Sequence, residues 1–154
     1  MARKSFSHLE CSVANTVELL GDAWSVLILR DAFLGVRRFD GFVESLGIAR
    51  NTLTDRLDRL VESGLMEAVP YQERPLRHEY RLTAMGKDLF DGMALYSFGE
   101  RWQPGGAADR FRAIHVDCGN EGHATVHCSH CGERLTRRNV RLEPKVPAAE
   151  TSSA

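Results

Sequence analysis

Four side chains in the C-terminal third of the chain have the types and spacing of zinc ligands. The sequence there reads His115-x2-Cys118-Gly119 and, after eight further residues, Cys128-x2-Cys131-Gly132. The glycine after each pair lets the backbone turn its amides toward the ligand atoms. Three thiolates and one imidazole fill a tetrahedral site completely, so we expect a structural zinc with no open position for catalysis.

Two other interpretations of this segment stay open. A hairpin could form there without metal, or Cys128 and Cys131 could act as a redox-active pair. Three further histidines also compete as ligands: His123, His127 and His130. Residues 1–20 contain no apolar stretch typical of a signal peptide, so we expect a reducing cytoplasm, where such spacing favours metal over a structural disulfide.

The remaining cysteine, Cys11, lies three residues after His8. On a helical turn an imidazolium at that spacing would favour the thiolate, the form of cysteine that reacts with oxidants and electrophiles. Redox sensing by Cys11 is therefore one hypothesis. The alternative is a small, buried, unreactive side chain.

A second group of chemically informative side chains is polar and begins at residue 50. Asparagine pairs well with adenine, arginine with guanine or phosphate, and aspartate with the amino group of cytosine. Threonine can contact a thymine methyl group or a backbone oxygen. The alternative is a polar face that meets only solvent. The predicted DNA contacts in this stretch are Arg50, Asn51, Thr52, Thr54, Asp55 and Arg56.

Helical periodicity explains how these side chains would be presented. Leu53, Leu57 and Leu60 recur on one face of a predicted helix over residues 50–63, which leaves the polar face outward. A preceding helix over residues 39–46 is separated from it by a short turn that contains Gly47. This is a helix-turn-helix pattern, in which the N-terminal end of the second helix meets base edges.

Two extended runs follow at once and predict a hairpin. They read LMEAVPY and RHEYRLT and are joined by the turn-prone segment QERPL around Pro75. A hairpin after a helix-turn-helix is the arrangement of a winged helix. Arg74 and Arg77 flank the stiff proline, where they are predicted to meet phosphates or a minor groove.

Helices are also predicted on both sides of this motif, at residues 12–20, 23–34 and 84 to about 102. The second is apolar on most sides and is expected to be the buried central helix. The last carries more large apolar side chains than one domain can easily bury, which suggests a subunit interface. A two-fold homodimer would place two recognition helices on a palindromic operator in double-stranded DNA.

Composition limits the class of protein. The chain has 154 residues, 43% apolar and 27% charged, with a net charge of −1; its longest apolar runs, such as residues 26–29, are far shorter than the ~20 residues that cross a bilayer. We therefore expect no membrane partner and a cytoplasmic location. Residues 37–82 hold equal numbers of basic and acidic side chains. DNA binding would therefore require the basic side chains to cluster on the surface that faces DNA and the acidic ones to lie elsewhere.

The predicted fold class is α+β, a winged helix-turn-helix domain with flanking dimerisation helices and a small C-terminal Cys/His-rich hairpin. Its predicted segments are a DNA-binding and dimerisation domain at residues 7–102, a linker at 103–109, a zinc-ribbon-like hairpin at 110–142 and a disordered tail at 143–154.

From Cys11 to about Trp102 the chain resembles the HxlR-type family of winged-helix regulators, within the wider MarR-like group. The resemblance rests on Cys11 and on the blocks GDAWSVLILRDAFLGVRRF, GIARNTLTDRLDRLVESGL and PYQERPLRHEYRLTAMG. It implies a homodimer that binds operator DNA, with the first and last helices at the interface and a small-molecule or redox signal that alters affinity. Relatives often have Ser and Gln where this chain has Ala49 and Asp55. Of the properties that the resemblance implies, the preferred DNA sequence is therefore the one least expected to be shared.

The sequence therefore predicts a sequence-specific transcription regulator, a repressor rather than an activator, and not an enzyme. Two alternatives come from other classes. One is a small zinc- or thiol-dependent enzyme centred on Cys128 and Cys131, although no catalytic triad or phosphate loop is present. The other is a zinc-hairpin module for protein interaction.

Overall fold

The computed structural model describes residues 12–89, 97–98 and 113–141. The chain divides into two compact units between residues 90 and 91, and each is described by itself. The first unit contains five helices and two strands within its described part. They are α1 Ser12–Leu20, α2 Ala23–Phe33, α3 Phe39–Leu46, α4 Arg50–Glu62, β1 Met66–Glu73, β2 Leu76–Leu82 and α5 Ala84–Asp88. The predicted winged helix-turn-helix is confirmed.

Helix boundaries follow the capping residues closely. Asp22 caps α2 because its carboxylate accepts from the amides of Trp24 and Ser25. Gly47 ends α3 in the left-handed conformation, with φ of 62°, which costs glycine little. The helices α2 and α4 each end one residue earlier than predicted, because Leu34 and Ser63 serve as their C-caps.

The hairpin turn is shorter than the predicted segment 72–76. Gln72 pairs with Arg77 and Glu73 with Leu76, so the strands run nearly to the tip and only Arg74 and Pro75 form the turn. An irregularity of the β1–β2 pairing lies between Pro70 and Gln72. Proline donates no hydrogen bond to a strand, which suits it to such a position.

The core of this unit lies where α2, α3, α4 and the start of β1 meet. Each element contributes apolar side chains that solvent hardly reaches, including Ile28 on α2 and Phe42 on α3. The helix α2 is central as predicted, but Trp24 and Val26 at its start are partly exposed. The buried core residues are Ile28, Leu29, Phe42, Ile48, Leu53, Leu57, Leu60, Leu65 and Met66.

One buried charge was not predicted. Asp31 in α2 is almost fully buried and accepts from the guanidinium of Arg30, at 2.9 and 2.6 Å, through its Oδ1 atom. Its Oδ2 atom has no hydrogen-bond partner within the described residues. A buried carboxylate of this kind is tolerated only because its cation lies beside it.

The wing is fixed to the helices by main-chain contacts. The amide of Tyr80 donates to the carbonyl of Arg37 at 2.7 Å, and Arg38 forms an isolated bridge with Glu79. At the other end of β2, the hydroxyl of Thr83 donates to the carbonyl of Gly64 at 2.6 Å and also caps α5. Hydrogen bonds therefore join β2 to the residues just before α3 and just after α4.

Several predicted features lie outside the described residues. These are Cys11, the linker at residues 103–109, the tail from residue 143, and most of the predicted helix beyond α5. Of that helix only Leu89, the C-cap of α5, and residues 97–98, as helix, are described. Within the described part, no single helix is long and apolar enough to cross a membrane, and α1 with α2 meets that test only as a pair bent by 80°.

Candidate nucleic-acid interface

The N-terminal end of α4, residues 50–55, is the candidate reading end of the recognition helix. Its side chains Arg50, Asn51, Thr54 and Asp55 are exposed, and Thr52 is half-buried. The N-cap, Ala49, has no side chain to cap the helix. We refer to the polar side chains at positions 50, 51, 52, 54 and 55 as the reading end; Leu53, between them in the chain, is buried.

Two of these side chains are oriented by the helix backbone. The Asn51 Oδ1 atom accepts from the amide of Thr52 at 2.8 Å, and the Thr54 hydroxyl donates to the carbonyl of Arg50 at 3.0 Å. The Asn51 oxygen is thus engaged by the backbone, and its amide NH2 group is the donor that it offers. Amide groups of this kind contact base edges.

Arg50 forms an ion pair that sequence reasoning did not predict. Its guanidinium lies 2.7 Å from Asp40 of α3 and over the ring of Phe39, 5.6 Å from the centroid. The side chain of Arg50 is 66% exposed and that of Asp40 68%. Ion pairs this exposed contribute only ~0–1 kcal/mol, so a phosphate or guanine can take the guanidinium from Asp40. Asp40, the acidic residue in the first turn of α3, was the sequence feature from which this ion pair could have been predicted.

Arg56, predicted to contact DNA, lies elsewhere. Its guanidinium forms an ion pair at 2.5 Å with the Oδ2 atom of Asp22, the N-cap of α2, and the two side chains are 20% and 31% exposed. The structure therefore separates Arg56 from the reading end and places it at the contact between α4 and α2. Helical spacing agrees, because Arg56 lies beside Leu57 and Leu60 and not beside Asn51.

The predicted wing cations lie at the tip of the hairpin. Arg74 and Arg77 are both exposed, on either side of Pro75 and Leu76. The amide of the Gln72 side chain donates to the carbonyl of Arg74 at 3.0 Å and holds the turn. Two cations at an exposed tip suit phosphate or a narrow minor groove.

The base of the wing carries a charge cluster in which one carboxylate faces two arginines. Glu79 accepts from Arg81 at 3.0 Å and lies 3.6 Å from Arg38, which in turn stacks over Tyr71 at 4.7 Å. The hydrogen bond from Arg81 lowers the pKa of Glu79, and the charges of Arg81, Arg38 and Arg37 act in the same direction. Sequence reasoning missed this cluster, because Arg38 precedes α3 and reaches Glu79 on β2 only through the fold.

In the C-terminal unit, the four predicted zinc ligands form two pairs. The Nδ1 atom of His115 lies 3.3 Å from the sulfur of Cys118, and Cys128 is hydrogen-bonded to Cys131. Within the described residues, no three His, Cys, Asp or Glu side chains form a group that could hold a metal ion. The structure does not bring the two pairs together, and the zinc site stays a prediction.

The family model for HxlR-like helix-turn-helix proteins matches residues 19–106, which include α2 to α5. The chain belongs to the HxlR-like helix-turn-helix family. It is 46% identical over 134 residues to an HTH-type transcriptional regulator of Mycobacterium tuberculosis, covering 86% of this chain and 85% of the relative. An HTH-type transcriptional regulator of Synechocystis is 37% identical over 94 residues, covering 60% and 70%.

Solved structures agree with this membership. The crystal structure of PA1607, a candidate transcription factor, superposes with a TM-score of 0.79 at 37% identity and covers 92% of this HxlR-like chain and all of its own. The redox regulator HypR in its reduced form has a TM-score of 0.58 at 25% identity, covering 61% of this chain and 95% of HypR. The HxlR-like chain is an HTH-type transcription regulator and not an enzyme.

Asp22→Ser separates the two roles of Asp22. Serine still caps α2 but cannot neutralise Arg56, so we expect Asp22→Ser and Arg56→Ala each to lower the free energy of unfolding by about 1–2 kcal/mol. The double variant should lose less free energy of unfolding than the sum of the two single variants, because each single change already removes the same ion pair between Asp22 and Arg56. Chemical denaturation measures all three.

The matched control is Arg59→Ala, an exposed arginine in the last turn of α4, which should change stability little. Additive losses in the double variant would contradict the coupling of Asp22 with Arg56.

Proposed function

We propose that this HxlR-like protein is a homodimeric repressor. The reading end of α4 contacts the bases of an operator, and the wing tip contacts its phosphates. The observation that carries the proposal is the exposure of Arg50, Asn51 and Thr54 in the same unit as an exposed cationic hairpin. The proposed DNA contacts are Arg50, Asn51, Thr52, Thr54 and Asp55 on α4 and Arg74 and Arg77 on the wing.

Rigid anchoring of α4 supports this assignment. Leu53, Leu57 and Leu60 are at most 1% exposed, and they hold the helix in the core by the face opposite the reading end. A helix held in this way presents its polar end at a fixed angle. Side chains that discriminate between bases need such a frame, because a bidentate contact tolerates little misplacement.

The charges of the wing and of α4 contribute differently to DNA binding, the wing to affinity and α4 to selectivity. With a net charge of −1, the chain has no general attraction for DNA, so affinity must come from local cations. Arg74 and Arg77 are exposed and supply phosphate contacts, which position the protein without reading sequence. Asp55 favours a cytosine amino group and disfavours nearby phosphate, which contributes to selectivity.

The first helix supports a homodimer. No residue of α1 is buried, although Val13 and Val17 lie on one face and are 69% and 50% exposed. An apolar helix face that its own unit leaves uncovered is typical of a subunit contact. A second copy of the chain is the partner that a palindromic operator requires.

For the signal, we propose oxidation or electrophilic modification of Cys11, with a small-molecule effector as the alternative. His8 at helical spacing would favour the thiolate. Similarity to the redox regulator HypR supports this choice. A change at Cys11 acts next to α1, so it would alter the dimer and with it the spacing of the two reading ends.

Substitutions at the reading end and at the wing should have different effects on DNA binding. Arg50→Ala and Asn51→Ala should change the ranking of operator variants, with losses of about 1–3 kcal/mol on the preferred site. Arg77→Ala should weaken all sites alike and reduce the slope of affinity against salt by about one. Fragments selected from random duplexes, then titrated by fluorescence anisotropy at several salt concentrations, measure both effects.

Arg59→Ala provides the matched control, since it removes one cation from the far end of the same helix. It should leave both the ranking and the salt slope unchanged. If Arg50→Ala and Arg59→Ala behave alike, the reading end does not contact bases.

A charge on the apolar face of α1 should separate the proposed dimer. Val17→Asp should give a monomer in light scattering and weaken operator binding at least about tenfold, because two linked half-site contacts become one. Asn15→Asp, which places the same charge on the opposite face of α1, should remain dimeric. A dimeric Val17→Asp protein would place the subunit contact elsewhere.

Oxidation should alter operator affinity through Cys11. Treatment with diamide should change the affinity of the wild type, and Cys11→Ser should abolish that response while it leaves untreated binding intact. Anisotropy titration before and after treatment, with reversal by dithiothreitol, measures the effect. An unchanged response in Cys11→Ser would assign the signal to another group.

A further inference from the structure

Residues 113–141 contain the same turn twice, thirteen residues apart. In the first copy, the amide of Gly119 donates to the carbonyl of His115 at 2.8 Å, and the amide of His115 donates to Asn120 at 3.0 Å. In the second copy the corresponding bonds join Gly132 to Cys128 and Cys128 to Glu133, both at 2.8 Å. The flanking bridges also correspond: Ile114 with Glu121, and His127 with Arg134.

Glycine at the same place in both turns explains their shape. Gly119 and Gly132 have φ of 69° and 74°, in the left-handed region that favours glycine. Each glycine directly follows the second candidate ligand, so the chain folds back and both ligands of a pair lie in one tight loop. The repetition places His115 in the position of Cys128, and Cys118 in the position of Cys131.

The donor atoms of the first turn are arranged as a metal would need them. The Nδ1 atom of His115 lies 3.3 Å from the sulfur of Cys118, close to the roughly 3.6 Å that separates nitrogen and sulfur ligands on a tetrahedral zinc. The other ring nitrogen, Nε2, lies 3.6 Å from the Asp117 carboxylate. Metal-bound histidines usually direct their second nitrogen to such a carboxylate, which fixes the ring.

The second turn is built in the same way. The hydrogen bond from the amide of Gly132 to the carbonyl of Cys128 closes a single loop that contains both Cys128 and Cys131. Its two thiols are of the ligand type that zinc binds.

This segment lacks the apolar core that would hold two turns together. Among residues 113–141 no side chain is buried, and the larger apolar ones, such as Ile114, Val116 and Val126, are exposed. Small units without a core are held by a disulfide or a metal. No disulfide joins the cysteines at 118, 128 and 131.

We propose that His115, Cys118, Cys128 and Cys131 bind one zinc ion that joins the two turns as a structural crosslink. The two pairs are separate here, so binding requires the turns to approach each other through residues 123–125, which lie between them. Four protein ligands fill the coordination sphere, and the ion would stabilise the segment. Metal binding is thus coupled to a change in the connecting residues.

Metal analysis of the full chain, purified without chelator, tests the proposal. The wild type should contain about one zinc per chain, and Cys118→Ser and Cys131→Ser should lose it. His123→Gln and His130→Gln, which remove histidines that the repeat does not assign as ligands, should keep it. Hydrogen exchange should show residues 113–141, and not α2 to α4, losing protection when zinc is removed.

His115→Cys tests the assignment even if the serine variants fail to fold. Because position 115 corresponds to Cys128, a cysteine there should keep the metal and convert three thiolate ligands to four. With cobalt in place of zinc, the tetrahedral absorption should persist and the sulfur-to-metal charge-transfer band should grow. A wild type that neither contains nor takes up zinc, a zinc content lost in His123→Gln, or an unchanged cobalt spectrum in His115→Cys would each overturn the proposal.

Discussion

The burial of one leucine face fixes most of what this molecule presents to its surroundings. Leu53, Leu57 and Leu60 pack into a core with Ile28 and Phe42 and are almost completely removed from solvent. Burial of each such side chain contributes about 1.5–3 kcal/mol, so rotation of α4 about its axis is strongly opposed. Because an α-helix turns by a fixed angle per residue, the same packing leaves the reading end exposed. Stability and recognition therefore depend on a single helical register.

Charge in this chain is arranged by local pairing. The pair of Arg56 with Asp22 is largely buried, Arg30 is half-exposed beside the buried Asp31, and Arg38 and Arg81 lie next to Glu79 at the base of the wing. An arginine that is paired with a carboxylate attracts DNA less, so these pairs reduce non-specific binding. The cations at the wing tip have no carboxylate among the ion pairs described here. A nearly neutral protein can thus direct its positive charge to a small region, and its association with DNA should depend on orientation.

The sequence predicts the helices of this fold well and its tertiary contacts poorly. Periodicity and capping residues place α1, α3 and the start of α4 at their observed bounds, because helix formation is decided within a few residues. Strand pairing depends on the partner strand, which explains why the turn of the hairpin was predicted too long. The pairing of Arg56 with Asp22 joins residues far apart in the chain. Nothing in local spacing distinguishes such an arginine from one that faces DNA, so the sequence grouped Arg56 with the polar side chains of the reading end.

The two units of the chain use different means to hold backbone turns. In the first, the turn between α3 and α4 is held because the helices on both sides bury leucine and phenylalanine, and the turn itself needs only Gly47. In the second, the turns at Gly119 and Gly132 have the same left-handed glycine but no buried side chain on either side. Three of the four cysteines of the sequence lie in this second unit, and none lies within α2 to α5. Because no apolar side chain is buried there, packing alone does not explain the shape of these turns, and the backbone hydrogen bonds around each glycine carry it.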